Sequence, residues 1–343
     1  MKENHAITIR DIAKKAGVSQ ATISKILNDY PDVSQKTKER VFRIMEEAGY
    51  RPSHSARTLA QKTSKLIGVV YAGRINADFD HPFFIEVLNA FKRTIGMHGY
   101  DLLFFSDETF QKEENFYARC LYYKVDGCII IAGEDVQQSI EDLTKSEIPC
   151  IGVDIQLDGP KSGYVMTDNK KISQSVVDYF YLQGHRDIAY IGGANESAVS
   201  NIRLKGFRES IHEYGLTLRP EWVIEGDFFE QSGYEAGLSL FKGNAQKPTA
   251  VFSSSDLMAF GFMRAMQELG VSIPGDVSLV GCDDQLAARY VQPPLTTVRQ
   301  NKEKIGRLAA LMLLDFIAGR ASTARILVEP ELIGRETTAS LLL

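Results

Sequence analysis

The sequence predicts a small all-α head followed by an α/β body of two lobes, each a parallel sheet with helices on both faces. Three observations lead there. Thr8 to Gly49 carry three short amphipathic helices with start signals. From Leu66 onward, apolar runs of strand length alternate with helical stretches. Charge divides the same way. The first 62 residues hold 12 Lys and Arg against 7 Asp and Glu, a balance of +5. Of the chain's 39 basic and 44 acidic residues, that leaves 27 against 37, or −10, for the rest.

In the head, Thr8 is placed as an N-cap, and Ile9, Ile12, Ala13 and Ala16 recur on one apolar face. Gly17 follows where a positive φ ends a helix without steric cost. Ser19 restarts the chain as a second cap. Ile23, Ile26 and Leu27 turn inward, leaving Gln20, Ala21, Ser24, Lys25 and Asn28 on the opposite face. A third helix starts at Ser34 and runs to Gly49, burying Val41, Ile44, Met45 and Ala48. Two helices joined by a three-residue glycine turn are the arrangement that sets a helix in the DNA major groove. A basic head on an acidic body suits phosphate binding by the head alone.

In the body, LIGVVY, DLLFF, DGCIIIA, IPCIGVD, DIAYIGG, WVIEGD, TAVFSS and VSLVGCD read as strands, many ending in Gly or Asp. Between most of them lie helical stretches such as FFIEVLNAFKRTIGMHG and ISQSVVDYFYLQGH. So many βα elements exceed one open sheet, so two lobes are expected, with a break near Gly159 to Asp168. Ligands bind beyond the carboxyl ends of such strands, where Asp154, Asp227 and Asp283 stand, with Phe228 adjacent.

A composition of 44% hydrophobic and 24% charged residues is that of a soluble globular protein. No apolar run approaches the ~20 residues that span a bilayer, and MKENHAITIRD lacks a signal-peptide core. The expected location is the cytoplasm. Cys120, Cys128, Cys150 and Cys282 lie far apart without a CxxC and are read as buried reduced thiols. No metal-ligand spacing occurs among the six histidines, and no cofactor is expected.

Several segments together resemble the LacI-type (LacI/GalR) family of bacterial transcriptional regulators over essentially the whole chain. They are TIRDIAKKAGVSQATISKILN, VSQKTKERVFRIMEEAGYRPSHSARTLA, DHPFF, GHRDIAYIGG, RLKGF, SSDLMAFG, VGCDD and PPLTTVRQ. The resemblance implies a homodimer on palindromic double-stranded operator DNA, with no membrane partner. It also implies a periplasmic-binding-protein-like body and a chain that crosses three times between lobes. The domains are then a head over 1–50, a hinge over 51–63 and an effector-binding and dimerisation body over 64–343. Lobe 1 takes about 64–165 and 296–325; lobe 2 takes about 166–295 and 326–343.

By that likeness the helix after Ser19 enters the major groove. Gln20 pairs with adenine, Ala21 offers a methyl to thymine and Lys25 donates to guanine. Ser19, Thr22, Asn28 and Thr37 are expected at phosphates or as caps, with Thr8 and Ser34 beside them. RPSHSARTLA matches the hinge, in which Ala56, Arg57 and Leu59 enter the minor groove and Leu59 wedges between base steps. Alone, so short a segment does not repay helix nucleation.

For the effector, Arg203 and Asp283 match the arginine and aspartate that hold the ligand, and Phe228 an aromatic that stacks on it. Asp154, Ser255, Phe83 and Phe84 complete the candidates, and Asp168 and Asn169 read equally as lining or caps. Ser255 stands where the family has asparagine, and Asn201 where it often has arginine, which puts a standard hexose mode in doubt. The ligand class expected is a sugar or sugar derivative, and its sign as inducer or corepressor is open. The segment FFIEVLNAFKRTIG is expected to bury against a twin, and the ending TTASLLL, without heptads, points to a dimer. Rivals are an enzyme, against which stand the missing GxGxxG, GxSxG and Walker loops; a plain sugar-binding protein; and a regulator answering to a protein co-effector. The first reading is a regulator without catalysis.

Overall fold

A computed structural model describes residues 7–27, 30–50, 63–72, 81–105, 115–132, 138–195, 197–243 and 246–342. It divides into two units: Met1–Leu66 with Tyr123–Asp126, and Ile67–Tyr122 with Gly127–Leu343.

In the first unit, α1 (Ile9–Ala16), α2 (Gln20–Leu27) and α3 (Gln35–Glu47) close on one small core. Thr8 and Asp11 form a reciprocal capping box: the Thr8 backbone N–H donates to Asp11 Oδ2 at 2.9 Å, and the Asp11 N–H donates to Thr8 Oγ1. Gly17 ends α1 at φ +64°, and the Val18 N–H closes on the Ala13 carbonyl at 3.1 Å. Ser19 Oγ accepts from the Thr22 N–H at 3.0 Å, and Ser34 Oγ from the Thr37 N–H at 3.3 Å. Ile12, Ala13, Ala16, Ile23, Ile26, Val41 and Met45 are buried together. Later in this unit Asp126 holds Ser64 and Lys65. Its Oδ1 accepts from the Ser64 N–H at 2.8 Å and its Oδ2 from the Lys65 N–H at 3.0 Å.

The second unit carries two six-stranded sheets. The strands of the first are β1 (Leu66–Ala72), β2 (Asp101–Phe104), β3 (Gly127–Ala132), β4 (Cys150–Val153), β5 (Ser162–Thr167) and β11 (Ala324–Val328), in the order β11-β5-β4-β3-β1-β2. The second has β6 (Ile188–Ile191), β7 (Val223–Ile224), β8 (Ala250–Ser253), β9 (Ser278–Asp283), β10 (Thr296–Arg299) and β12 (Glu331–Ile333), in the order β12-β10-β9-β8-β6-β7. The ladders are parallel except at the edge, where β12 runs antiparallel to β10.

The helices of lobe 1 are α4 (Pro82–Met97), α5 (Phe116–Tyr123), α6 (Gln138–Thr144) and α11 (Lys302–Ile317). Those of lobe 2 are α7 (Asn169–Leu182), α8 (Ala198–Glu213), α9 (Glu230–Phe241) and α10 (Asp256–Leu269). Alternation in lobe 2 feeds two cores. Ala189, Ile191, Val251 and Leu279 face α9 and α10, while Ile188, Tyr190, Phe252, Val280 and Cys282 face α7 and α8. Strands apolar on both faces are buried on both, which is why their sequence reads as continuous apolar runs.

The three crossings between lobes lie a few residues from the expected positions. β5 runs to Thr167 and β11 to Val328 in the first sheet, whereas β10 pairs with β9 in the second. Thr296–Arg299 thus belongs to lobe 2 and Ile326–Val328 to lobe 1. A strand stays in its ladder until its last hydrogen bond, so the chain crosses at strand ends, which helical rhythm alone does not locate. Asn169, Gln300 and Lys302 therefore fall at the crossings. The apolar residues of α4, Phe83, Phe84, Val87, Leu88, Phe91 and Ile95, are buried inside lobe 1 against α11, where Gly306 allows close approach to the Val87 carbonyl. Its outward face carries Glu86, Asn89, Lys92, Arg93 and Met97.

Candidate functional site

On the head, burial of Ile23 and Ile26 turns the opposite face of α2 outward, so Gln20, Ala21 and Lys25 are exposed side by side. Thr22 and Ser19 join hydroxyls at 2.9 Å at the helix start. Thr8, Ser19 and Ser34 all serve as caps, and Thr37 supplies the N–H that Ser34 accepts. Lys25 is ion-paired with Asp32. Asn28, Ala56, Arg57 and Leu59 lie outside the described residues.

In the body, strand ends and crossings assemble one polar cluster. Arg203, on α8 and 3% exposed, donates from Nε to Asn169 Oδ1 at 2.8 Å and from Nη1 to the Ser254 carbonyl at 2.7 Å. Asn169 is itself held by donation from Nδ2 to the Thr167 carbonyl at 3.0 Å. Asp283 closes β9, and its Oδ1 accepts from Gln300 Nε2 at 2.8 Å. Asp283 Oδ2 and Asp154 Oδ1 are buried without a protein partner. The Arg203 guanidinium stands 6.0 Å over the Phe228 ring. Phe228 holds φ +72°, and its ring lies where a Cβ on Gly193 would sit, 2.0 Å from Cζ. That close approach is what the glycine pair after β6 provides.

Burial raises the Asp154 carboxyl to about 6, Arg203 opposing and Asp283 reinforcing the shift. Asp256, behind Asp283, is raised by burial to about 7, and Asp283 adds to the effect. Its Oδ1 accepts from Thr297 Oγ1 at 2.5 Å and its Oδ2 from the Gln285 N–H at 2.7 Å. Burial holds the His81 imidazole below its ordinary value; Asp283 opposes this and Arg203 and Lys302 favour it. Thus two buried carboxyls titrate close to neutrality at one place, as functional sites often do.

Sequence matching to known proteins decides the family. Residues 8–53 match "Bacterial regulatory proteins, lacI family", and residues 177–338 match "Periplasmic binding protein-like domain". The HTH-type transcriptional repressor PurR of Proteus mirabilis is 34% identical over 97% of both chains. The chain belongs to the LacI family of bacterial regulatory proteins. It is a DNA-binding transcriptional regulator. PurR of Edwardsiella ictaluri is 33% identical over the same share of both chains. Among solved structures, the lac repressor dimer bound to operator and the anti-inducer ONPF aligns with a TM-score of 0.83, at 27% identity, over 97% of this chain and 99% of that one. The transcriptional regulator CelR–cellobiose complex aligns with a TM-score of 0.73 at 27% identity, over 96% of this chain and 99% of that one.

Within this LacI-family body the structure brings Arg203, Asp283, Asp154 and Phe228 together. Ser255 stands behind them: it donates to the Phe228 carbonyl at 3.0 Å and accepts from the Met258 N–H at 3.1 Å, so its hydroxyl caps α10 and fixes Phe228. Phe83 and Phe84 pack in the lobe 1 core, with Phe84 also 5.1 Å from the His81 ring. Asp227 accepts from the Phe229 N–H and the Ser232 hydroxyl, closing the turn into α9. Asp168 caps α7, whereas Asn169 positions Arg203. Asp284 anchors the far side of the β9 end through Arg299 and Arg335.

Sequence reasoning missed His81, Gln300, Ser254 and Lys302. His81 is 6% exposed, and its ring meets Phe229 of the other lobe edge-on at 5.6 Å. The DHPFF motif carries His81, but nothing local sets the histidine apart from the phenylalanines beside it. All four cysteines are buried and free. Among the described residues no His, Cys, Asp or Glu cluster is arranged to hold a metal, and no helix is long and apolar enough to cross a membrane.

Proposed function

We propose that this chain is a cytoplasmic repressor that binds a palindromic double-stranded operator as a homodimer and releases or gains it when a small molecule, a sugar or sugar derivative, enters between the lobes. The observation that carries the reading is the Arg203 cluster. A buried guanidinium oriented by Asn169 and Ser254 faces two carboxylates that each keep a buried oxygen without a partner. An arginine fork and carboxylates beyond strand ends can bracket neighbouring hydroxyls, and Phe228 offers a face for stacking. Arg203, Asp283, Asp154 and Phe228 are the contacting residues in this proposal; Ser255, Phe83 and Phe84 shape the walls behind them.

On DNA, Gln20, Ala21 and Lys25 read bases. Ser19, Thr22, Asn28 and Thr37 position the helix on phosphates, with Thr8 and Ser34 at the same surface. Ala56, Arg57 and Leu59 occupy the minor groove. The protein switches by shifting a population of lobe arrangements and catalyses nothing, as its relatives' description as repressors supports. A differential affinity of ~2–3 kcal/mol between the two arrangements is enough for a useful switch. Selection of operators from a random duplex pool by the full-length protein tests the reading, followed by binding to the winner with each sugar present. No sequence preference under any effector defeats it.

A further inference from the structure

The cleft's unpartnered atoms say what the ligand must bring. Asp154 Oδ1, Asp283 Oδ2 and Gln300 Oε1 are buried without a partner, and each can only accept when the carboxyls are ionised. His81 Nδ1 is buried and unpartnered on the lobe 1 side. The nearby hydroxyls of Thr167, Ser254 and Tyr190 can play either role, and the one amide donor in the same condition among the described residues, Gln285 Nε2, belongs to the loop beyond β9. Buried acceptors are costly until something donates to them.

Charge points the same way. Among the described residues, Asp154 and Asp283, with Asp256 behind, confront Arg203 and Lys302. Lys302 is already engaged: its ammonium donates to the Asp283 and Asp284 carbonyls at 3.1 and 3.3 Å and pairs with Glu86 at 3.1 Å. Arg203 has Nε and Nη1 committed to Asn169 and Ser254. Among the described residues an anionic ligand would lie against two carboxylates with part of one guanidinium to balance it, an arrangement that selects against anions.

We propose that the site takes an uncharged ligand donating hydrogen bonds from hydroxyl or amino groups, that it rejects phosphate esters, and that His81 is the lobe 1 residue that reads this ligand. The proposal rests on the effector reading above and narrows it. His81 is suited to the role by place. It lies at the start of α4, 94% buried, between Phe84 of its own lobe and Phe229 of the other, with Asp283, Arg203 and Lys302 facing it. A neutral ring offers one nitrogen as donor and the other as acceptor, a specificity that an added charge would erase.

The test is calorimetric titration of the full-length protein with glucose, ribose, cellobiose and guanosine, each beside its phosphate ester. At least one uncharged compound should bind, and its ester should bind about a hundredfold more weakly or worse. A phosphate ester as the tightest binder, or no binding by any uncharged compound, overturns the proposal. With the bound compound, His81→Phe should weaken binding about tenfold while His81→Gln, which keeps a polar end, retains most of it. Thermal melts of both variants alongside separate folding from recognition; equal affinity in wild type and His81→Phe removes His81 from the site. Loss of operator preference with ligand binding intact would instead strike the regulator reading.

Discussion

Lys25, on the outward face of α2, is ion-paired with Asp32 in the turn that leads to α3. The pair lowers the Asp32 carboxyl and raises the Lys25 ammonium above their ordinary values through one shared hydrogen bond. Both partners are about half exposed, so the pair orients Lys25 more than it stabilises the head.

Because a base edge must compete with Asp32 for Lys25, the two substitutions should differ in kind. Lys25→Ala should flatten preference at one base-pair position by about tenfold while other positions keep theirs. Asp32→Asn should tighten binding to operator and non-operator duplexes alike. Fluorescence anisotropy against single-base operator variants measures both. A uniform loss for Lys25→Ala would remove it from the bases.

Arg203 is a structural brace as well as a candidate ligand contact. Arg203→Ala leaves Asn169 Oδ1 and the Ser254 carbonyl without their donor and Asp154 and Asp283 without their facing charge. The expected loss of stability is about 3 kcal/mol, read as a lower urea midpoint with little change in slope. Effector binding should disappear in the same variant, whereas Arg203→Lys, which cannot span both acceptors, should fall between.

Asp154 and Asp256 give stability an unusual dependence on pH. Their folded values, about 6 and about 7, lie above the 3.8 that is ordinary for an aspartate in an unfolded chain. Below that value both carboxyls are protonated in either state and carry no penalty; as pH rises from there to about 6 and 7 the unfolded chain ionises first and stability falls, levelling off once the native carboxyls are ionised too. Asp154 sits at φ +55°, which asparagine also tolerates. Asp154→Asn should therefore be more stable than wild type at pH 8 by about 2 kcal/mol, the gap narrowing toward pH 4. Urea unfolding across that range measures it, and a constant gap would refute the assignment.

Gly193 makes room for the Phe228 ring. Gly193→Ala puts a methyl on Phe228 Cζ and must displace the ring from beneath Arg203. A destabilisation of about 1–3 kcal/mol and loss of effector affinity should come together, with operator binding by the free protein retained. Phe228→Leu in the Gly193→Ala background should recover stability without recovering affinity.

What the chain declares locally, it declares well. Thr8, Gly17, Ser19 and Ser34 mark the head's helix ends because caps and positive-φ glycines act within a few residues. The apolar runs of β1, β3, β4, β8 and β9 announce two-sided burial because alternation is absent. Arg203, Asp154, Asp283 and Phe228 were legible as residues at strand ends or by likeness. Their meeting was not. Asn169, His81 and the pair Gln300 and Lys302 reach the same place from three separated segments, and only the three crossings between lobes bring those segments together. The packing of α4 against α11, some 200 residues apart along the chain, likewise follows from closure of the fold. Caps and periodicity are short-range effects written in adjacent letters; a buried polar cluster is a long-range balance of desolvation and pairing, and exists only once the chain has returned upon itself.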